Sequence, residues 1–493
     1  MIRTQLLPGL FAGLAVMLGG CTSAPPEAAL PEAAMVAAEA PSRPGEQLAL
    51  EARISPVVWI AGEAPEALPL SGHMAKIGVP AVSIAVYRGG ELHWAEGYGE
   101  GADRETLFQA ASLSKMVAAA GITALAQEKG VSLDADISAG LPGIDMATFN
   151  PEGAPITLRA LLSHTNGATV SGFPGYEAGL PVPSTLEVIT GSGGANTDAV
   201  VIRPNPDKTF AYSGGGYTVA QYWAEQVSGE DFAAMMQRLV LGPAGMTQST
   251  FAQPLPDALA GGNVAAAHRA DGEEIAGRWH TYPELAAAGL WTTPSDFGRF
   301  LVALGKASAG EAGTGIDPAV AAQVTAPVVE DYGLGVGIVM YDGEKSLQHS
   351  GGNEGYMCFA MALPGRGDVI VVMTNSDNGH RLYRDILTTA REIYKWPSDA
   401  PEALTRAALS AEALAGYAGA YVQEGTTDVV LELTAGDNEL LGTSPFVGSF
   451  RLVPVGAGVF VDPENGFKIS SDDVDGDVRL SVMGMVLEKI ASE

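Results

Sequence analysis

In the stretch "TLFQAASLSKMVAAAGITALAQEKG", Ser112 and Lys115 stand three residues apart at the head of an apolar run that meets no further charge until Glu128. On a helix, residues three apart share a face, so the amine and the hydroxyl come within hydrogen-bonding reach. A lysine there either snorkels to water or is held at depth for a purpose, because desolvating an ammonium is costly. A neutral amine in that place can take the Ser112 proton and leave the oxygen as a nucleophile toward a carbonyl. Half-neutrality at pH 7 needs a fall of ~3.4 units from a reference of ~10.4, or ~4.6 kcal/mol, and burial supplies shifts of that size. A serine at a helix N-terminus also points its backbone N–H, with the positive end of the helix dipole, at any anion forming beside it. The competing reading is a plain helix N-cap, which needs no lysine. No other lysine in the chain has a serine three residues before it.

Several elements must position this pair. The segment "AVSIAVYRGGELHWAEGYG" has two apolar runs around Gly89-Gly90, the signature of a hairpin. A long helix is expected from about Ser112, with further helical patterns at "TLRALLSH" and "YTVAQYWAEQVSG". Strands return at "YGLGVGIVMYDG", "LQHSGGNEGYMCFAMALP" and "DVIVVMTN". Strands at both ends with helices between them predict an α+β domain, an α/β sandwich in which the first and last strands share a sheet. After "KWPSDAPEA" the chain turns to short alternating runs such as "VVLELTAGDNELL", which predict a small all-β, barrel-like C-terminal domain.

The chain's 493 residues are 47% hydrophobic and sufficient for one large core or two to three domains of ordinary size. A formal net charge of −30 disfavours phosphate backbones, so nucleic acid is not an expected partner. The two cysteines, Cys21 and Cys358, form no CxxC pair, and HExxH and GxxxxGK[ST] are both absent; no metal and no cofactor are expected. The start, "MIRTQLLPGLFAGLAVMLGGC", reads as a signal peptide over residues 1–21. Its "LGGC" resembles a bacterial lipobox, which implies lipidation of Cys21 and, with Thr22 following, an envelope protein anchored in the outer membrane and facing the periplasm. Ordinary secretion is the alternative. Residues 22–47 read as an Ala/Pro/Glu-rich tether, 48–397 as the main domain and 404–493 as the β domain.

Three segments, "FQAASLSK", "PDKTFAYSGGGY" and "QHSGGNEGY", together resemble the serine β-lactamase and penicillin-binding-protein superfamily, in particular its class C-like branch of β-lactamases, D-peptidases and esterases. That family orders Ser-x-x-Lys, Tyr-x-Asn, and Lys or His followed by Thr or Ser and Gly. Here the corresponding residues are Ser112 to Lys115, Tyr212-Ser213-Gly214 and His349-Ser350-Gly351, with flanking similarity over residues 78–375. The resemblance implies an acyl-enzyme on Ser112, proton transfer by Lys115 and Tyr212, an oxyanion hole from the backbone N–H groups of Ser112 and Gly352, and substrate contacts from His349, Ser350, Gly351 and Gly214. It implies a small-molecule or peptide acyl substrate and says nothing about oligomeric state. Tyr212 rests on its position between the other motifs, since Tyr-x-Gly recurs at Tyr87, Tyr341 and Tyr417.

Gly214 departs from the family's asparagine and His349 stands where a lysine is common, so the expected activity is that of an esterase or D-peptidase-like hydrolase with weak β-lactamase action. A true class C-like β-lactamase and a non-catalytic penicillin-binding-like envelope lipoprotein are the alternatives. A C-terminal barrel that itself binds ligand is another. Ser376-Asp377-Asn378 copies a class A motif but follows the His-Ser-Gly strand, and is read as a strand-end turn. The acidic run Ser471 to Val478 is read as a hairpin turn, not a calcium loop. His164 is expected to cap or pack.

Overall fold

The computed structural model describes residues 43–63, 67–99, 101–397, 402–423, 429–444, 448–463, 468–474, 477–482 and 485–490. The signal peptide, Cys21 and the tether up to residue 42 lie outside the described residues.

A short strand β1 (Val58–Ile60) precedes the hairpin of β2 (Ala81–Arg88) and β3 (Glu91–Gly99). Its two-residue turn takes φ 59° at Gly89 and 85° at Gly90, the left-handed conformations that glycine adopts without steric cost. A two-stranded ladder of β4 (Phe108–Gln109) and β5 (Trp291–Thr292) follows. Then β6 (Gly337–Tyr341), β7 (Glu344–Asn353), β8 (Tyr356–Leu363) and β9 (Asp368–Thr374) complete a six-stranded antiparallel sheet in the order β3-β2-β9-β8-β7-β6. The first hairpin and the last strand read from the sequence of the main domain thus share this sheet, β2 pairing with β9 and Ile84 standing opposite Val372.

Both faces of the sheet are covered. Ala85, Tyr87, Val371 and Met373 join the core under the Pro294–Ser308 helix, while Val82, Ile84, Val86, Ile370 and Val372 pack with Leu382 and Ile386 of the Gly379–Tyr394 helix. Alternate residues of a strand face opposite sides, so a strand buried on both faces reads as a continuous apolar run. The Pro294–Ser308 helix lies close because Gly298 has no side chain: a Cβ there would fall 2.3 Å from the Tyr87 ring.

Two further helices matter for the site. Ser114–Glu128 is buried almost all round, the pattern of a central helix. Gly214–Ser228 starts at an N-cap, Ser213, whose Oγ accepts the Gly216 N–H at 2.9 Å.

The boundaries differ from those read in the sequence. The first helix, Gly45–Ala52, begins inside the expected tether, because Gln47 is buried and its amide donates to Glu51 at 2.9 Å. β10 (Glu402–Leu404) pairs in parallel with β1 and so belongs to the main domain rather than to the β domain. Beyond it, β11 (Gly419–Gln423), β12 (Val429–Ala435), β13 (Leu440–Ser444), β14 (Gly448–Gly456), β15 (Val459–Val461), β16 (Lys468–Val474), β17 (Asp477–Val482) and β18 (Met485–Lys489) close an antiparallel barrel, β11 pairing with β18. Leu431, Leu433, Leu440, Leu452, Phe460, Ile469, Leu480 and Leu487 pack together there around Tyr421. β16 and β17 form the expected hairpin around the acidic run.

Candidate active site

Ser112 sits in a single 3₁₀ turn, Ala111–Leu113, that leads into the Ser114–Glu128 helix. Ala111 enters this turn at φ 47°, a conformation that costs an L-residue energy and recurs at functional sites. The Ser112 side chain caps nothing; its partner is Lys115, whose Nζ donates to Ser112 Oγ at 3.0 Å. Lys115 is 2% exposed, so it does not snorkel. Its second bond runs to the Ala287 carbonyl at 2.8 Å, and its Nζ lies over the rings of Tyr212 and Tyr217, 4.9 and 5.6 Å from their centroids.

The Ala287 carbonyl is held in place from two sides. Gln221 accepts the Ala286 N–H at 3.0 Å and donates to the Pro283 carbonyl at 3.1 Å, while Ser114 Oγ accepts the Leu290 N–H at 3.0 Å. Residues 283–290 are therefore stitched both to the helix that carries Lys115 and to the one that follows Tyr212.

Tyr212 is half-buried immediately before the Gly214–Ser228 helix. Its ring packs on His164 at 4.4 Å, and among the described residues its hydroxyl makes no hydrogen bond. His164 is fully buried at φ 59°, and its Nδ1 accepts the Ser213 N–H at 3.0 Å. Gly214 opens the helix, and a Cβ there would come 2.7 Å from the Phe173 ring. Phe173 thus fills the space that a side chain at 214 would enter.

β7 brings the third motif against the nucleophile's turn. A Cβ at Gly351 would fall 2.5 Å from the Ala110 carbonyl, 2.6 Å from Cys358 Sγ and 3.1 Å from Ala111 Cβ. Only glycine permits that approach. Cys358 donates to the Ala110 carbonyl at 3.0 Å, and Asn353 donates to Gln109 at 2.7 Å and to the Ala288 carbonyl at 3.2 Å. Ser350 and Gly352 stay exposed. His349 uses both ring nitrogens inside the protein: Nε2 meets the Tyr332 hydroxyl at 3.1 Å and Nδ1 meets the Ser350 carbonyl. Ser112, Lys115, Tyr212 and His349 therefore converge, and Gly214 lies beside them.

Burial dominates the electrostatics of the site. Burial, then the neighbouring Lys115, lowers the pKa of both histidines, His349 to about 4 and His164 well below its ordinary value. Burial also raises the Tyr217 and Tyr332 phenols. Glu284, fully buried with neither carboxyl oxygen hydrogen-bonded among the described residues, is pushed up to about 8 by desolvation. A poorly hydrated pocket holding a hydroxyl against an amine can carry out nucleophilic acyl transfer.

Tyr332, Ala287, Phe173 and Glu284 escaped the sequence reading. Tyr332 opens the quoted run "YGLGVGIVMYDG", but that pattern does not say that its side chain turns toward His164 and His349, and nothing in the local sequence says that Glu284 is buried. His164 packs as expected, although at the site itself. Ser376-Asp377-Asn378 forms the expected turn, with the Asp377 carboxylate accepting the Gly355 N–H at 2.7 Å.

Residues 70–395 match the Beta-lactamase family. Penicillin-binding protein 4 of Amycolatopsis lactamdurans is 24% identical over 330 residues, covering 62% of this chain and 84% of its own length. The unguisins hydrolase ungD of Aspergillus violaceofuscus is 25% identical over 443 residues, 74% of this chain and 76% of its own. Among solved structures, the octameric penicillin-binding protein homologue from Pyrococcus abyssi superposes with a TM-score of 0.56 at 20% identity, over 85% of this chain and 98% of that one. With its antiparallel sheet, buried Ser-x-x-Lys pair and family match, the chain belongs to the beta-lactamase family, within the serine β-lactamase and penicillin-binding-protein superfamily.

Proposed function

We propose that this protein is a serine hydrolase that cleaves an ester or amide through an acyl-enzyme on Ser112 and acts weakly on β-lactams. The observation that carries the reading is the 3.0 Å contact between Lys115 Nζ and Ser112 Oγ at a lysine that is 2% exposed. Lys115 takes the hydroxyl proton as Ser112 Oγ bonds to the substrate carbonyl. The backbone N–H groups of Ser112 and Gly352 receive the oxyanion, and Tyr212, with its hydroxyl uncommitted, passes a proton to the leaving group. Water then attacks the acyl-enzyme by the same route in reverse, releasing the acid. A general base of this kind is generally worth ~100-fold or more in rate, and one oxyanion donor ~3 to 4 kcal/mol.

Three features favour esters or simple amides over β-lactams. Gly214 has no side-chain amide to pair with a substrate amide, which costs such substrates ~1 to 3 kcal/mol. The Phe173 ring already fills the adjoining space. His349, with its pKa lowered to about 4, is neutral at pH 7 and attracts a carboxylate less than a lysine would. The relative named as an unguisins hydrolase supports hydrolysis, and those named as penicillin-binding proteins support acylation by β-lactams.

The test is turnover of short-chain acyl esters, D-alanyl amides and a chromogenic cephalosporin. Ester or amide turnover should exceed cephalosporin turnover; the reverse order would make the protein a true β-lactamase, and no turnover of any would make it a binding protein. Lipidation at Cys21 would hold the enzyme at the periplasmic face of the envelope. Cys21→Ser should then release it from the membrane fraction, and a wild type found wholly in the soluble fraction would rule the anchor out.

A further inference from the structure

Three buried or half-buried side chains, His164, Tyr332 and His349, link the Tyr-Ser-Gly and His-Ser-Gly motifs through four hydrogen bonds. The Ser213 N–H meets His164 Nδ1 at 3.0 Å, His164 Nε2 meets the Tyr332 hydroxyl at 3.4 Å, that hydroxyl meets His349 Nε2 at 3.1 Å, and His349 Nδ1 meets the Ser350 carbonyl. The two ends fix every proton between them. A backbone N–H can only donate, so His164 Nδ1 carries the lone pair and, in a neutral ring, Nε2 carries the hydrogen. A carbonyl can only accept, so His349 Nδ1 carries the hydrogen and Nε2 the lone pair. Tyr332 has one proton to give, and it must receive from His164 and donate to His349. Every donor and acceptor in the chain of bonds is then satisfied by one arrangement.

We propose that Tyr332 is a positioning residue of the acyl-transfer site, which together with His164 locks His349 as its neutral Nδ1–H tautomer. The proposal rests on the serine hydrolase reading given above. Its consequence for recognition is that His349 offers substrate the edge of a pinned ring, not an N–H donor or a charge. Protonating His349 would put an N–H against the Tyr332 oxygen that already accepts from His164. That hydroxyl would have to turn away, and among the described residues it has no other partner. The nearby Lys115 also lowers both histidines, and the remaining groups facing them are the phenols of Tyr212, Tyr217 and Tyr332. A hydrogen bond given to a neutral imidazole disfavours its charged form, so removing the donor must raise the midpoint at which His349 protonates.

The experiment is a pH titration of the full-length protein with ¹⁵N-labelled histidine, followed by NMR, with His349 assigned through His349→Gln. Wild type should show His349 as the Nδ1–H tautomer and neutral to below about pH 5. Tyr332→Phe should raise its midpoint above the wild-type value and move the acid limb of kcat/KM upward with it. An Nε2–H tautomer in wild type, or an unmoved midpoint in a folded Tyr332→Phe, would overturn the proposal. The wild-type tautomer decides the matter even if the variant does not fold. The NMR arm needs no substrate, so an enzyme inert toward every ester and amide would remove the hydrolase reading while the titration still judged the hydrogen-bond chain.

Discussion

The catalytic cleft and the C-terminal barrel are both buried interiors, but they are filled differently. The barrel packs leucines, Ile469 and Phe460 around Tyr421, whose hydroxyl is satisfied by the Tyr417 carbonyl at 2.7 Å. Around the cleft lie Lys115, His164 and Glu284, each of them costly to bury. An apolar interior contributes stability alone, whereas a polar one is retained at a cost to stability and so marks where chemistry is expected. This contrast also counts against the barrel as a ligand binder, since its side chains occupy its own centre.

The contrast predicts separable effects, the largest in the barrel. Phe460→Ala should cost ~3 to 5 kcal/mol of stability and leave kcat/KM of the remaining folded protein nearly unchanged; a matching loss of kcat/KM would mean the barrel takes part in the chemistry. Lys115→Ala should do the opposite, removing ~100-fold or more of turnover with no loss of thermal stability, because relieving a buried amine need not destabilise. Near-normal turnover in that variant would end its role as base.

Glu284 yields the next effect. Its pKa is raised from 4.5 to about 8 in the folded protein, so above pH 4.5 the unfolded chain releases a proton that the folded one keeps. The stability contributed by Glu284 is therefore fully present below pH 4.5 and is lost as pH rises to about 8, at up to ~1.4 kcal/mol per unit. Glu284→Gln should flatten the melting temperature between pH 5 and pH 7, a relative gain of roughly 2 to 3 kcal/mol at the upper end. An unchanged pH slope would show that the carboxyl finds a partner. The smallest effect concerns substrate. Gly214→Asn alone should gain little β-lactam turnover because Phe173 occupies the space, whereas Phe173→Ala with Gly214→Asn should gain about tenfold, or ~1.4 kcal/mol. Equal gains in the single and double variants would remove Phe173 as the obstacle.

What the sequence disclosed follows a physical line. The Gly89-Gly90 hairpin and the Ser112–Lys115 pair were legible because each depends on neighbours within a few residues. The pairing of β2 with β9 was legible because strands buried on both faces leave long apolar runs. The Ala287 carbonyl, the Phe173 ring and the Tyr332 hydroxyl were not, since each acquires its role from a residue far along the chain. The same holds for β10: three residues pairing with β1 leave no periodic pattern, so the domain boundary was drawn through them. Ser112 was read as starting a helix, and it instead lies in a 3₁₀ turn because Ala111 enters at positive φ, which composition does not announce.

Mass spectrometry of the protein after reaction with a fluorophosphonate tests the nucleophile most directly. The probe's mass should appear on the peptide containing Ser112, vanish in Ser112→Ala, and form far more slowly in Lys115→Ala. Labelling that persists in a folded Ser112→Ala variant would place the nucleophile elsewhere and contradict the assignment of this site.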